Sequence, residues 1–170
     1  MCSSDLTIER PDGSYTATSQ LSDPVWGGLV RTPDSMTSAI PSGLQRATTL
    51  TATATLGNPS DPLTLLSRSI DAAVNGRHYH ATFDRSQLRW SFTTPAGRTS
   101  YLDVDPAGRP LSSGIGNLEP VHYTYDAGGR LTSMTQGTGS AERTVAFSYD
   151  GAGRLSSLTD PLSRVVDFSY

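Results

Sequence analysis

The side chains able to do chemistry are few and far apart. His78 and His80 stand two residues apart, so a strand would turn both to one side, an arrangement that metal sites use. The nearest carboxylates are Asp71 and Asp84, and His122 is remote, so no third ligand is at hand. A solvated polar face is the expected reading. Asp103-Val104-Asp105 with Gly108 has the opening of a calcium loop but lacks the further oxygen ligands and the distal Glu. Gly137-Thr138-Gly139 lacks the third glycine and the strand-to-helix setting of a dinucleotide loop, and reads as a turn. A Ser/His/Asp triad can be assembled on paper from 23 Ser and three His, which means nothing without geometry. Cys2 is the only cysteine, which excludes an internal disulfide framework and a cysteine zinc cluster. No catalytic residue, cofactor or metal is assigned, and the chain is read as a non-enzyme.

Composition points to the elements that carry these residues. Of 170 residues, 23 are Ser and 21 are Thr, with 16 Gly and 11 Pro. Thr suits a half-buried pleated surface, and Gly, Pro, Ser and Asp close turns, so an all-β fold is expected. Helix formers are scarce, with three Glu and no Lys. The net charge is −3 and the 13 Arg are scattered singly, which gives no electrostatic footprint for nucleic acid. No stretch approaches the ~20 apolar residues of a membrane span, and no signal-peptide pattern is visible. Residues 1–6, Met-Cys-Ser-Ser-Asp-Leu, resemble the translation of one frame of a common sequencing adapter and are kept out of the fold argument.

Residues 7–60 read as an irregular β and loop region. Thr7 to Arg10 and Tyr15 to Thr18 flank Pro11-Asp12-Gly13, the signal of a hairpin. Residues 24–43 hold three prolines and little periodicity, so a loop is expected there. Leu50, Ala52, Ala54 and Leu56 alternate with Thr, which predicts a strand with one buried face. Residues 61–92 read as degenerate hairpins. Asn75-Gly76 marks a type I′ turn, although residues 63–74 also admit a helix. Leu88, Trp90 and Phe92 alternate as a strand.

From residue 93 the chain repeats itself. Thr94-Pro95-Ala96-Gly97-Arg98 and Asp105-Pro106-Ala107-Gly108-Arg109 come first. Tyr125-Asp126-Ala127-Gly128-Gly129-Arg130, Tyr149-Asp150-Gly151-Ala152-Gly153-Arg154 and Asp160-Pro161-Leu162-Ser163-Arg164 follow. Apolar-x-aromatic-x-Tyr segments end at Tyr125, Tyr149 and Tyr170, and Leu-x-Ser-x-Thr segments begin at Leu131 and Leu155. Each unit reads as a hairpin whose aromatic face needs its neighbours for burial. Asp at the turn entry should accept amide hydrogen bonds from two or three residues on. Gly should supply a positive φ, and Arg should lay its stem over apolar surface with its head near the Asp.

These Tyr-Asp-x-x-Gly-Arg-Leu-x-Ser-x-Thr units resemble those of YD-repeat proteins of the bacterial rearrangement-hotspot (Rhs) family. The resemblance is most complete at residues 125–135 and 149–159. It implies antiparallel hairpins forming part of a spiralling sheet, a hollow shell that in relatives encloses a C-terminal toxin domain. Similar shells occur in insecticidal toxin complexes and in teneurins. It further implies that the remaining repeats of a longer, secreted or cell-surface protein are the partners. The residue after Tyr170 should be Asp, so the chain reads as a fragment cut mid-repeat, with residues 93–170 as its YD repeats. Asp160-Pro161-Leu162-Ser163 has Ser where the family's Asp-Pro-x-Gly self-cleavage segment has Gly, and it sits inside an ordinary repeat, so no protease role is carried over to it. Two competing functions are a surface module binding carbohydrate through its Tyr and Phe stripe and a polysaccharide lyase.

Overall fold

A computed structural model describes residues 4–170. Met1, Cys2 and Ser3, half of the segment resembling an adapter, lie outside the described residues. The chain divides into two compact units, Met1–Thr99 and Ser100–Tyr170.

The first unit holds β1 (Ser4–Glu9), β2 (Tyr15–Asp23), β3 (Gly27–Ala39), β4 (Gln45–Leu56), β5 (Leu65–Val74), β6 (Arg77–Asp84) and β7 (Arg89–Thr93). Each pairs antiparallel with the next. Asp5 and Leu6, which the sequence argument left aside, pair with Ser19 and Thr18. The alternation in β4 has a structural counterpart: Leu50, Ala52, Ala54 and Leu56 are half-buried, and Thr49, Thr51, Thr53 and Thr55 are exposed. Asn75 and Gly76 take φ of 48° and 76° and close a two-residue hairpin, so residues 65–74 are strand rather than helix. Among the described residues of this unit the helix is one 3-10 turn, Pro62–Thr64, where the Asp61 side chain accepts from Leu63 N.

Two expectations need correction. Residues 24–43 are largely the 13-residue strand β3, and residues 7–60 as a whole hold four strands. Pro33 disguised β3, because proline cannot donate to a ladder. It sits beside the register shift at Ser19/Gln20, beyond the last β3–β4 pair, Ser35↔Thr49, where β3 no longer runs beside β4. Leu88 belongs to the turn before β7, at φ 50°, and not to the strand.

From that register shift outward the β2–β3 hairpin departs from the sheet. Its end reaches β5, where Arg68 Nη2 meets Asp23 Oδ2 at 2.7 Å. Asp23 is 3% exposed, and its other oxygen accepts from Val25 N and Trp26 N at 2.8 and 3.1 Å. Burial pushes the Asp23 carboxyl up, but these two amides and the guanidinium outweigh it and hold it below the ordinary carboxylate range. Phe83, the largest side chain of the small core, packs at a tilt against Trp90, with ring centres 5.2 Å apart.

The second unit holds β8 (Thr99–Val104), β9 (Pro110–Ile115), β10 (Val121–Tyr125), β11 (Leu131–Gln136), β12 (Arg143–Tyr149), β13 (Leu155–Thr159) and β14 (Val165–Asp167), again antiparallel in chain order. One face carries Tyr123, Met134, Val145, Phe147 and Leu158, cross-strand neighbours in the pairs Tyr123↔Met134, Met134↔Val145 and Phe147↔Leu158. The other carries small hydroxyls, with Thr124 Oγ1 2.7 Å from Ser133 Oγ and Thr135 Oγ1 2.9 Å from Thr144 Oγ1. Tyr123, Tyr125, Phe147 and Tyr149 are half-buried, and Phe168 is exposed. Gly114 lies opposite Tyr101, whose ring covers it so closely that a Cβ there would stand 2.4 Å from Cε1.

Candidate functional site

The repeated residues gather in four turns of one design. In each, Asp N donates to the Arg carbonyl four residues on, and the residue before Arg donates back to the Asp carbonyl. For Asp105 these bonds are 2.9 and 2.8 Å, and for Asp126, Asp150 and Asp160 they lie between 2.8 and 3.0 Å. This is a type I turn closed by a left-handed residue, a common short hairpin connection. Gly108, Gly129 and Gly153 supply the left-handed residue at φ 83°, 80° and 81°, and Ser163 does so at 61°.

The Asp side chain completes the turn. Asp105 Oδ1 accepts from Ala107 N at 2.8 Å and Arg109 N at 2.9 Å, and Oδ2 accepts from Arg109 Nε at 2.7 Å. Asp150 and Asp160 repeat all three bonds with Ala152 and Arg154 and with Leu162 and Arg164. Asp126 takes the amide and Nε of Arg130 at 2.9 and 2.7 Å. The donors thus lie two and four residues on, rather than two or three. The amide three residues on is already engaged by the Asp carbonyl. In all four, the Arg amide foremost and the guanidinium with it hold the carboxyl below its ordinary range, against burial. An acid so stabilised as the anion, with both oxygens engaged, is unsuited to proton transfer.

The arginines also reach into the next repeat, which the sequence reading did not anticipate. Two strands separate the turn at 105–109 from that at 126–130, and likewise 126–130 from 150–154, so these turns share one end of the hairpins. The Arg109 guanidinium lies over the Tyr125 ring at 5.0 Å, Arg130 over Tyr149 at 4.8 Å and Arg154 over Tyr170 at 4.7 Å. Burial pushes the Tyr125 phenol up, with Arg109 opposing. The Arg109 and Arg130 guanidinium groups also occupy the space a side chain would need on the next turn's glycine. A Cβ on Gly129 would stand 2.9 Å from Arg109 Nη1, and one on Gly153 would stand 3.2 Å from Arg130 Nη1. Tyr149 further donates to the Leu131 carbonyl at 2.8 Å. Tyr precedes Asp126 and Asp150 in the sequence, but nothing local to it names the Arg that covers it. Arg164 lies at the opposite end of the hairpins and pairs with Asp160.

Three earlier turns share the backbone design. Residues 10–14, 40–44 and 94–98 make the same two backbone bonds, with Pro second and Gly fourth. The x-Pro-x-Gly-x pattern therefore begins at residue 10, well before the Asp and Arg pairs that make it conspicuous. A second regularity follows the turns at 105–109, 126–130 and 150–154. The register shifts at Asp103/Val104, Thr124/Tyr125 and Ser148/Tyr149 leave Leu111, Thr132 and Ser156 as extra residues in the returning strands. Such bulges raise local twist.

The other weighed residues do not assemble into a site of known chemistry. His78 Nδ1 and His80 Nδ1 each lie 2.8 Å from an oxygen of Asp71, so the one carboxylate between them is shared. Asp103 Oδ2 accepts from Ser112 Oγ at 2.7 Å, while Asp105 serves its own turn. Gly137, at φ 84°, and Gly139 lead into the 3-10 turn Gly139–Ala141. Among the described residues no group of three His, Cys, Asp or Glu could hold a metal ion. No helix among them is long and apolar enough to cross a membrane.

No curated protein matches the chain. A family model described as Teneurin YD-shell matches residues 17–170, which takes in β3, β4 and every Asp-to-Arg turn. The repeated Tyr-Asp turns, the antiparallel hairpins in chain order and a match over nearly the whole length together show that this chain belongs to the Teneurin YD-shell family.

Proposed function

We propose that this chain is a wall segment of the shell of a larger bacterial protein of the polymorphic-toxin type. In that reading the shell encloses a C-terminal toxin domain and helps deliver it from a secreted or cell-surface parent, without catalysis of its own. The observation that carries the proposal is the Arg-to-Tyr contact between successive turns. It fastens each hairpin to the next while engaging every carboxylate of the set, as a wall requires and an active site does not. Carbohydrate binding is the weaker reading, because Tyr125 and Tyr149 are half-buried with a guanidinium group over each ring.

The test uses the parent protein, expressed with the reading frame beyond Tyr170. Limited proteolysis should leave its C-terminal domain intact while the repeats are present. The same domain expressed alone should be cut much faster. Equal cleavage in both settings would overturn the enclosing role.

A further inference from the structure

We propose that residues 20–32, the outer end of the β2–β3 hairpin, form a strap that closes over the apolar face of β4 and opens as a unit, with the Asp23–Arg68 contact to β5 as its latch. The inference does not depend on the shell reading. Four observations inside the first unit meet in it.

The strap is separable from the sheet. β3 stops pairing with β4 at Ser35↔Thr49, while β4 continues beside β5 as far as Leu56. Register shifts at Ser19/Gln20 and Ser22/Asp23 mark where the hairpin bends, and Pro24, Val25 and Trp26 form its tip, ahead of Gly27 at φ 58°. The strap is held at a point. Asp23 and Arg68 are 45 residues apart in sequence, and their contact carries the hairpin end across β4 to β5. It is held imperfectly. A cavity of about 200 Å³ remains beneath it, between Leu21, Pro24 and Pro33 above and Leu50 and Ala52 below. Arg68 Nε is buried with no acceptor, a cost the closed form bears and the open form escapes to water. The strap also keeps apolar side chains outward: Trp26 is 43% and Leu29 87% exposed.

A buried ion pair with one orphaned donor specifies a position better than it stabilises one. That is the expected make-up of a latch. Native-state hydrogen exchange on the full chain tests it. The Val25 and Trp26 amides, both bonded to Asp23, should exchange together, through an opening about tenfold or more easier than that of the β5–β6 ladder. Arg68→Met should speed those two amides about tenfold further and leave the ladder within about twofold. Asp23→Asn, which keeps the shape, should act in the same direction. If Arg68→Met fails to fold, the wild-type exchange decides alone. Exchange of strap and ladder through one common opening, or equal acceleration of both, would overturn the strap.

Discussion

The Arg130 guanidinium stands 4.8 Å from the centre of the Tyr149 ring while its Nε donates to Asp126 at 2.7 Å, so one side chain closes its own turn and covers the next. The repeat motif is therefore not five independent turns. Tyr, Asp, Gly and Arg of neighbouring units form one contact set. At 129 and 153 Gly is needed twice over, for its left-handed backbone and for the space the preceding Arg occupies.

Gly129→Ala should cost more than the usual left-handed penalty of about 1 kcal/mol, because the new methyl also displaces the Arg109 guanidinium. Gly151→Ala is the control. That residue has no positive φ and nothing within 4 Å of a Cβ, so its effect should stay within about 0.5 kcal/mol. Chemical denaturation of both variants measures the difference.

Ser163 holds the left-handed position of the last turn at φ 61°, where its sister turns have Gly. Ser163→Gly should stabilise the chain by about 0.5–1 kcal/mol, read as a higher denaturation midpoint at unchanged slope. A loss of stability would mean that the Ser side chain makes a compensating contact.

The turn carboxyls set the response to acid. Asp105, Asp126, Asp150 and Asp160 have depressed folded-state pKa values. A depressed value means that the unfolded chain binds protons first as pH falls. The contribution is fully present above the unfolded value of about 3.9 and disappears as pH drops through the folded values. The melting temperature should thus change little through these groups between pH 7 and 5 and fall below pH 4. Asp126→Asn should lower stability at pH 7 and flatten the fall below pH 4, which thermal melts across that range would show.

The repeats were legible because residues 125–135 and 149–159 keep almost the whole motif, and local turn chemistry follows from local sequence. The turn at 10–14 was legible from Pro11-Asp12-Gly13, whereas 40–44 was harder, since it keeps Pro and Gly but has neither Asp nor Arg. β3 was hidden by Pro33, whose missing N–H is harmless only because the strand has left its neighbour β4 there. The Asp23–Arg68 pair and the Arg-to-Tyr contacts were not legible at all. They join residues 45, 16 and 19 positions apart through sheet geometry, and no local pattern announces them.

The central claim is that successive repeats are coupled through Arg and Tyr. A double-mutant cycle on Arg130 and Tyr149, with Arg130→Met and Tyr149→Leu singly and together, measures that coupling. The interaction is half-exposed, so a favourable coupling energy of about 0.5–1 kcal/mol is expected. Strictly additive effects of the two substitutions would contradict the account.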